Sequence, residues 1–257
     1  MQGIREISCP YGKGYGECLE NPPASPWALS RTRRCMDVLF ALAGLSICAL
    51  PMLAVAALVR LTFRAPAVFS QQRVGREGRL FRIFKFRSMK SRAGEDAAAA
   101  LASAEDERVT RLGRVLRRYK ADELPQLYNI LRGEMALIGP RPKLLQYTGI
   151  PRMPYRPGLT GAATLVFHRE GELLRGLDES SLDEFYSRSI KPVKTRLDVC
   201  SMCQATFASD CSILLRTALN CFCPSRFLED PPRMPIDRER SLPDRSDLAQ
   251  DSVAADL

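Results

Sequence analysis

Val38-Leu-Phe-Ala-Leu-Ala-Gly-Leu-Ser-Ile-Cys-Ala-Leu-Pro51-Met-Leu-Ala-Val-Ala-Ala-Leu-Val59 runs for twenty-two residues without a charged side chain. A helix of that length, at about 1.5 Å per residue, reaches across a hydrocarbon core of about 30 Å. It lies well inside the chain, exceeds the apolar run of a signal peptide and is followed by no small-residue cleavage site, so it reads as a membrane helix. The alternative is a helix enclosed in a soluble core. Arg31, Arg33 and Arg34 precede the segment and Arg60, Arg64 and Arg73 follow it, which by the positive-inside rule directs both ends to the cytoplasm. Pro51 has no N–H to give to the carbonyl of Ile47, so a bend is expected there. A re-entrant helix that enters one leaflet and returns satisfies both features, with a straight span as its alternative.

Outward from this segment the 257-residue chain divides into an arm (1–29), the apolar helix with its flanks (30–64), a folded unit (65–228) and a Pro-rich charged tail (229–257) expected to be disordered. An apolar content of 46% excludes a wholly disordered chain, while a net charge of +9 suits nucleic acid, anionic lipid or phosphorylated substrates alike. The pair Cys200 and Cys203 invites a zinc reading, yet Cys211, Cys221 and Cys223 do not supply a second pair at the right spacing. The cysteines therefore read as reduced thiols. His168 is the single histidine, which excludes sites that need several imidazoles.

Within the folded unit, Arg79-Leu-Phe-Arg-Ile-Phe-Lys-Phe-Arg-Ser-Met89 alternates Phe84 and Phe86 with Lys85 and Arg87, the pattern of a strand with one basic face. Residues 94–107 are Ala-rich and acidic. From Arg108 to Tyr119, arginines share a helical period with Val109, Leu112, Val115 and Leu116, predicting an amphipathic surface helix. Asp122 and Glu123 follow it directly. Taken alone, two adjacent carboxylates before Pro125 are sufficiently explained by a helix cap with an acidic first turn. Their company is less ordinary: Pro140-Arg141-Pro142 is a stiff turn carrying a guanidinium, and Arg156-Pro-Gly-Leu-Thr-Gly161 is a second turn with an arginine. Arginine binds phosphate through paired parallel hydrogen bonds.

Taken in order, Arg34-Cys-Met-Asp37, the Pro-broken apolar run, Phe84-Lys-Phe-Arg-Ser-Met89, Arg111-Leu-Gly-Arg114, Asp122-Glu-Leu-Pro-Gln-Leu-Tyr-Asn129, Gly139-Pro-Arg-Pro142 and Arg156-Pro-Gly-Leu-Thr-Gly161 resemble the bacterial sugar transferases, the monotopic phosphoglycosyl transferases that prime exopolysaccharide and glycan assembly. The resemblance covers about residues 31–222 and extends to Leu197-Asp198 and Asp210–Thr217. It implies a mixed α/β, mainly helical cytosolic catalytic unit with an N-terminal re-entrant helix and surface amphipathic helices, at the cytoplasmic face of the bacterial inner membrane. The implied reaction moves a phosphosugar from a UDP-sugar to polyprenyl phosphate with release of UMP. Asp122 takes the nucleophile position, and Glu123 assists magnesium placement or proton removal; both are expected to hold Mg2+. Lys85, Arg87, Arg141 and Arg156 are assigned to substrate phosphate.

Inner-membrane lipid is the implied partner, nucleic acid is not, and a homodimer stays open. Departures from the family pattern are Leu50 before the proline, where Ser is common, Ala162 where many members carry Trp, and Glu134 where Asp is usual. None touches the Asp-Glu pair. The readings that compete are a catalytically silent membrane scaffold that kept the fold and a nucleic-acid binder; the first predicts a damaged pair and the second a soluble chain.

Overall fold

The computed structural model describes residues 24–90, 108–145, 152–168, 170 and 184–222. The arm up to residue 23, the acidic stretch 91–107 and the tail from 223 lie outside the described residues, so the readings made of them have no structural counterpart. Among the described residues the architecture is mixed α/β and mostly helical, with one long apolar helix and two small sheets.

Helix α1 runs over Arg31–Phe63. Ser30 caps it, its hydroxyl accepting from Arg33 N at 3.1 Å, and Arg64 ends it in the left-handed conformation at φ 50°. The helix continues through Pro51. Steps of three and four residues place Asp37, Ala41, Leu45, Met52, Val55, Ala56, Val59 and Phe63 against the rest of the protein. The opposite face presents Leu39, Leu42, Ile47, Leu50, Leu53, Leu58 and Leu61 outward, with Leu50 78% exposed. A helix enclosed in a soluble core would be covered all round, so that alternative does not describe this one. Moving such a face from water into hydrocarbon recovers on the order of 10 kcal/mol.

Strands β1 (Val68–Val74) and β2 (Leu80–Phe86) form an antiparallel hairpin in which Phe69 faces Lys85 and Gln71 faces Ile83. Helix α2 (Arg111–Arg118) starts later than its period suggests, because the Thr110 hydroxyl accepts from Gly113 N at 3.0 Å and caps it there; Arg108 and Val109 lie outside, Val109 bridging to Met89. Leu112 and Leu116 pack on Val59 and Phe86, while Val115 and Tyr119 stay exposed. A Cβ on Gly113 would lie 1.9 Å from the Ser88 carbonyl oxygen, and Arg117 Nε donates to Ser88 Oγ at 3.0 Å. The two motifs around Ser88 and Gly113 thus interlock.

Helix α3 (Gln126–Leu131) lies on α1 and β2, with Leu127, Ile130, Phe81, Ile83, Met135 and Ile138 forming the central core. Strands β3 (Ala136–Ile138) and β4 (Gly158–Thr160) pair in parallel. Their backbones approach so closely that a Cβ on Gly158 would lie 2.1 Å from Gly139 N. Helix α4 (Ala162–Val166) follows, then α5 (Lys191–Cys203) and α6 (Phe207–Phe222). Arg33 of α1 pairs with Asp210 of α6 at 2.7 Å, both buried, and donates to the Ile138 carbonyl at 2.9 Å. Arg34 donates to the Ile130 carbonyl at 2.6 Å, near the end of α3. Two of the arginines read as topology signals are therefore occupied in tying α1 to the folded unit.

Candidate active site

Lys120, two residues beyond α2, lies in the left-handed region, φ 55°, and swings the chain into a single 3-10 turn, Ala121–Glu123. A non-glycine residue held there costs about 1 kcal/mol and is found where surrounding structure dictates the bend. The turn buries both Asp122 and Glu123 and sends them to different surroundings. Neither serves as the helix cap that an isolated Asp-Glu suggests; α3 begins after Pro125, without a side-chain cap.

Glu123 is held by two cations. Lys85 Nζ donates to its Oε1 at 2.9 Å, and Arg141 donates to the same oxygen. Burial works against its charge, but Arg141 and Lys85 together overcome that and hold its carboxyl well below the usual carboxylate range. Asp122 fares in the opposite way. Its Oδ1 is buried with no hydrogen-bond partner, and burial, followed by the neighbouring Glu123 charge, pushes its pKa up, with Lys85, Lys120 and Arg117 opposing. Adjacent carboxylates are thus separated into a fixed anion and an unsolvated, more basic one.

Arg141 owes its place to glycines. A Cβ on Gly139 would lie 2.6 Å from the Arg156 carbonyl oxygen, and one on Gly161 would lie 2.3 Å from the Gly139 oxygen. The Arg156–Gly161 motif therefore supports the Gly139–Pro142 turn from beneath. The Arg156 Nε donates to the Gly133 carbonyl at 2.7 Å, and burial, then the Arg34 and Arg76 charges, work against its protonation with Asp37 opposing them. Arg87 donates to the Pro66 carbonyl at 3.3 Å. Of the four cations assigned to phosphate from sequence, the structure gathers Lys85 and Arg141 at Glu123.

Behind Arg141 stands a group of which the sequence marked only Asp198, as part of the family resemblance. Lys143 donates to Thr195 Oγ1, while Asp198 accepts from Ala163 N at 3.3 Å, completing the start of α4 from α5. Burial raises the Asp198 carboxyl to about 6, Lys143 opposing, and lowers the Lys143 ammonium to about 8. Lys194 donates to both carboxylate oxygens of Glu170 at 2.8 and 2.9 Å and lies over the rings of Phe167 and Tyr186 at 5.5 and 5.6 Å. Lys143 and Lys194 lie far apart in the chain, and only the path that brings α5 to the Arg141 turn joins them.

A buried carboxylate pair set among fixed cations, beside a long helix with an apolar outer face, defines a class of protein suited to phosphoryl groups that come with an apolar partner. The chain belongs to the bacterial sugar transferase family, whose model matches residues 28–224. It is 45% identical over 146 residues, 54% of this chain and 80% of the relative, to a Bacillus subtilis protein named as a candidate undecaprenyl-phosphate N-acetylgalactosaminyl 1-phosphate transferase. It is 43% identical over 143 residues to a UDP-N-acetylgalactosamine-undecaprenyl-phosphate N-acetylgalactosaminephosphotransferase of Aeromonas hydrophila, covering 52% of this chain and 34% of the relative. A third relative, the UDP-glucose:undecaprenyl-phosphate glucose-1-phosphate transferase of Caulobacter vibrioides, is 40% identical over 178 residues, 63% of this chain and 66% of that protein. The chain thus spans about a third of the Aeromonas relative and most of the Bacillus one.

Proposed function

We propose that this protein transfers a sugar phosphate from a UDP-sugar to undecaprenyl or another polyprenyl phosphate, releasing UMP, as the first membrane step of exopolysaccharide or other glycan synthesis. The observation that carries the reading is the contrast between Asp122, with a buried unpartnered oxygen, and Glu123, clamped by Lys85 and Arg141. Asp122 attacks the sugar-proximal phosphorus; a phosphorus–oxygen bond forms to its carboxylate, the bridging phosphorus–oxygen bond breaks, and UMP leaves with that electron pair. An oxygen of the carrier phosphate then attacks the same phosphorus and restores the Asp122 carboxylate. Lys85 and Arg141 hold phosphate charge through both steps. A phosphate monoester is largely dianionic at neutral pH, with a second pKa of about 6, so the acceptor needs little help in losing a proton. Glu123, kept ionised, acts as the anchor of the two cations.

Magnesium fits this site by its donors: the free Asp122 oxygen is a hard ligand next to where substrate phosphate would lie, and magnesium is commonly held by one or two carboxylates plus phosphate and water. Asp122 and Glu123 would hold it, and when bound it would neutralise charge on the phosphates. For the membrane, the support is that α1 packs on the folded unit near both ends, at Asp37 and Ala41 and again at Val59 and Phe63. A straight crossing would carry one of those ends away from the unit. A re-entrant helix keeps both on the cytoplasmic face of the inner membrane. The test is a nucleotide-release screen: purified protein, magnesium and undecaprenyl phosphate are offered single UDP-sugars. UMP from one donor is the expected result, and no UMP from any donor contradicts the proposal.

A further inference from the structure

We propose that Asn129 is a positioning residue that sets Lys85 on Glu123 by standing in for a missing strand beside β2. In an antiparallel hairpin alternate residues turn their backbone groups to the partner, and those between turn them to the other edge. Arg82 and Phe84 flank Ile83 in β2, and their outward groups meet a side chain. Asn129 Oδ1 accepts from Phe84 N at 3.1 Å, and its Nδ2 donates to the Arg82 carbonyl at 2.7 Å. That pairing with residues on either side of Ile83 reproduces what one residue of a parallel strand would make.

The remaining amide hydrogen goes to Glu134 Oε2 at 2.7 Å, so every hydrogen-bonding group of the carboxamide is used, and Asn129 is 0% exposed. The orientation of the amide follows from its partners, since Phe84 N can only donate and the Arg82 carbonyl only accept. Lys85 is the next residue along, and its ammonium reaches Glu123 at 2.9 Å. A slip of β2 by one residue would turn Lys85 to the other face of the hairpin. Glu134, longer than the Asp usual at its place, is what completes the amide's partners.

This rests on the proposed transfer reaction only for its kinetic consequence. The experiment uses Asn129→Asp, which retains the shape and the acceptor for Phe84 N but loses both donors and faces Glu134 with a second carboxylate. In full-length protein, UMP release is measured for Asn129→Asp, Lys85→Met and the double variant. A zero-length carbodiimide cross-link between Lys85 and Glu123 is quantified by peptide mass spectrometry against the Lys194–Glu170 cross-link. The expected results are a fall in kcat/KM of about tenfold to a hundredfold in the native background, less than about threefold in Lys85→Met, and a matching loss of the Lys85–Glu123 cross-link alone. Equal losses in both backgrounds, or an unchanged cross-link, overturn the proposal. If Asn129→Asp does not fold, Asn129→Ser, which cannot serve both backbone partners at once, is read in the same way. Should the native protein release no UMP from any donor, the reaction falls and the cross-link still decides the role of Asn129.

Discussion

At the scale of single residues, two neighbouring carboxylates differ because one is given counter-charges and the other only burial. The raised pKa of Asp122 means that its ionised, nucleophilic form is lost as pH falls, and lost sooner than for an ordinary aspartate near 3.9. Turnover should therefore show an acid limb displaced upward from that of an ordinary aspartate; a limb at or below the ordinary position contradicts the assignment. Asp122→Asn should lower turnover by about a thousandfold or more while leaving the fold intact, as checked by UMP release and circular dichroism. Glu123→Gln should raise KM for the donor more than it lowers kcat, because the loss is in the placement of Lys85 and Arg141. The sequence made the Asp-Glu pair and Arg141 legible, since both sit in short motifs with distinctive neighbours. It could not divide the roles of the pair, because those depend on Lys85 and Arg141, which reach Glu123 only in the fold. The Arg156 motif adds something the sequence did not show: its glycines let the backbone pack tightly against the Gly139–Pro142 turn that carries Arg141.

At the scale of elements, the short parallel pair β3 and β4 holds the Arg141 turn, and its glycines admit no side chain. Gly158→Ala should cost about 3 kcal/mol or more in stability, read by denaturant unfolding in detergent, because its Cβ would strike the Gly139 backbone nitrogen rather than a movable side chain. A change within about 0.5 kcal/mol would contradict this packing. The contact of α5 with the start of α4 has its own pH signature. Asp198, raised from 3.8 to about 6, binds a proton more tightly in the folded protein than in the unfolded chain, so its contribution to stability falls as pH rises from about 4 to 6. Asp198→Asn lacks this titration; its stability relative to the native protein should improve across that window, by at most about 3 kcal/mol. A flat difference would show that Asp198 titrates normally. Three-residue strands such as β3 and β4 are too short to display a period of two, which is why β2 and the α2 helix were visible in sequence and the parallel pair was not.

At the scale of the whole molecule, α1 is at once a pillar of the core and an apolar outer surface. The sequence showed its length and its lack of charge, but Val55, Ala56 and Val59, which pack inward, read the same as Leu50 and Leu53, which face out. Arg33 and Asp37, buried at its base, and Arg34, bonded to the end of α3, mark the inner face chemically. With both halves of the helix packed on one folded unit, reporter tags placed before Arg31 and after Leu257 should both lie in the cytoplasm. A periplasmic signal from the first tag would require a straight crossing. The measurement that tests the central claim most directly is a rapid-quench mass spectrum of the protein mixed with its donor in the absence of polyprenyl phosphate. The expected spectrum shows an added phosphosugar on the peptide that carries Asp122, discharged when the carrier is supplied. UMP formed only when carrier is present with no adduct at any time, or an adduct on another residue, would contradict that claim.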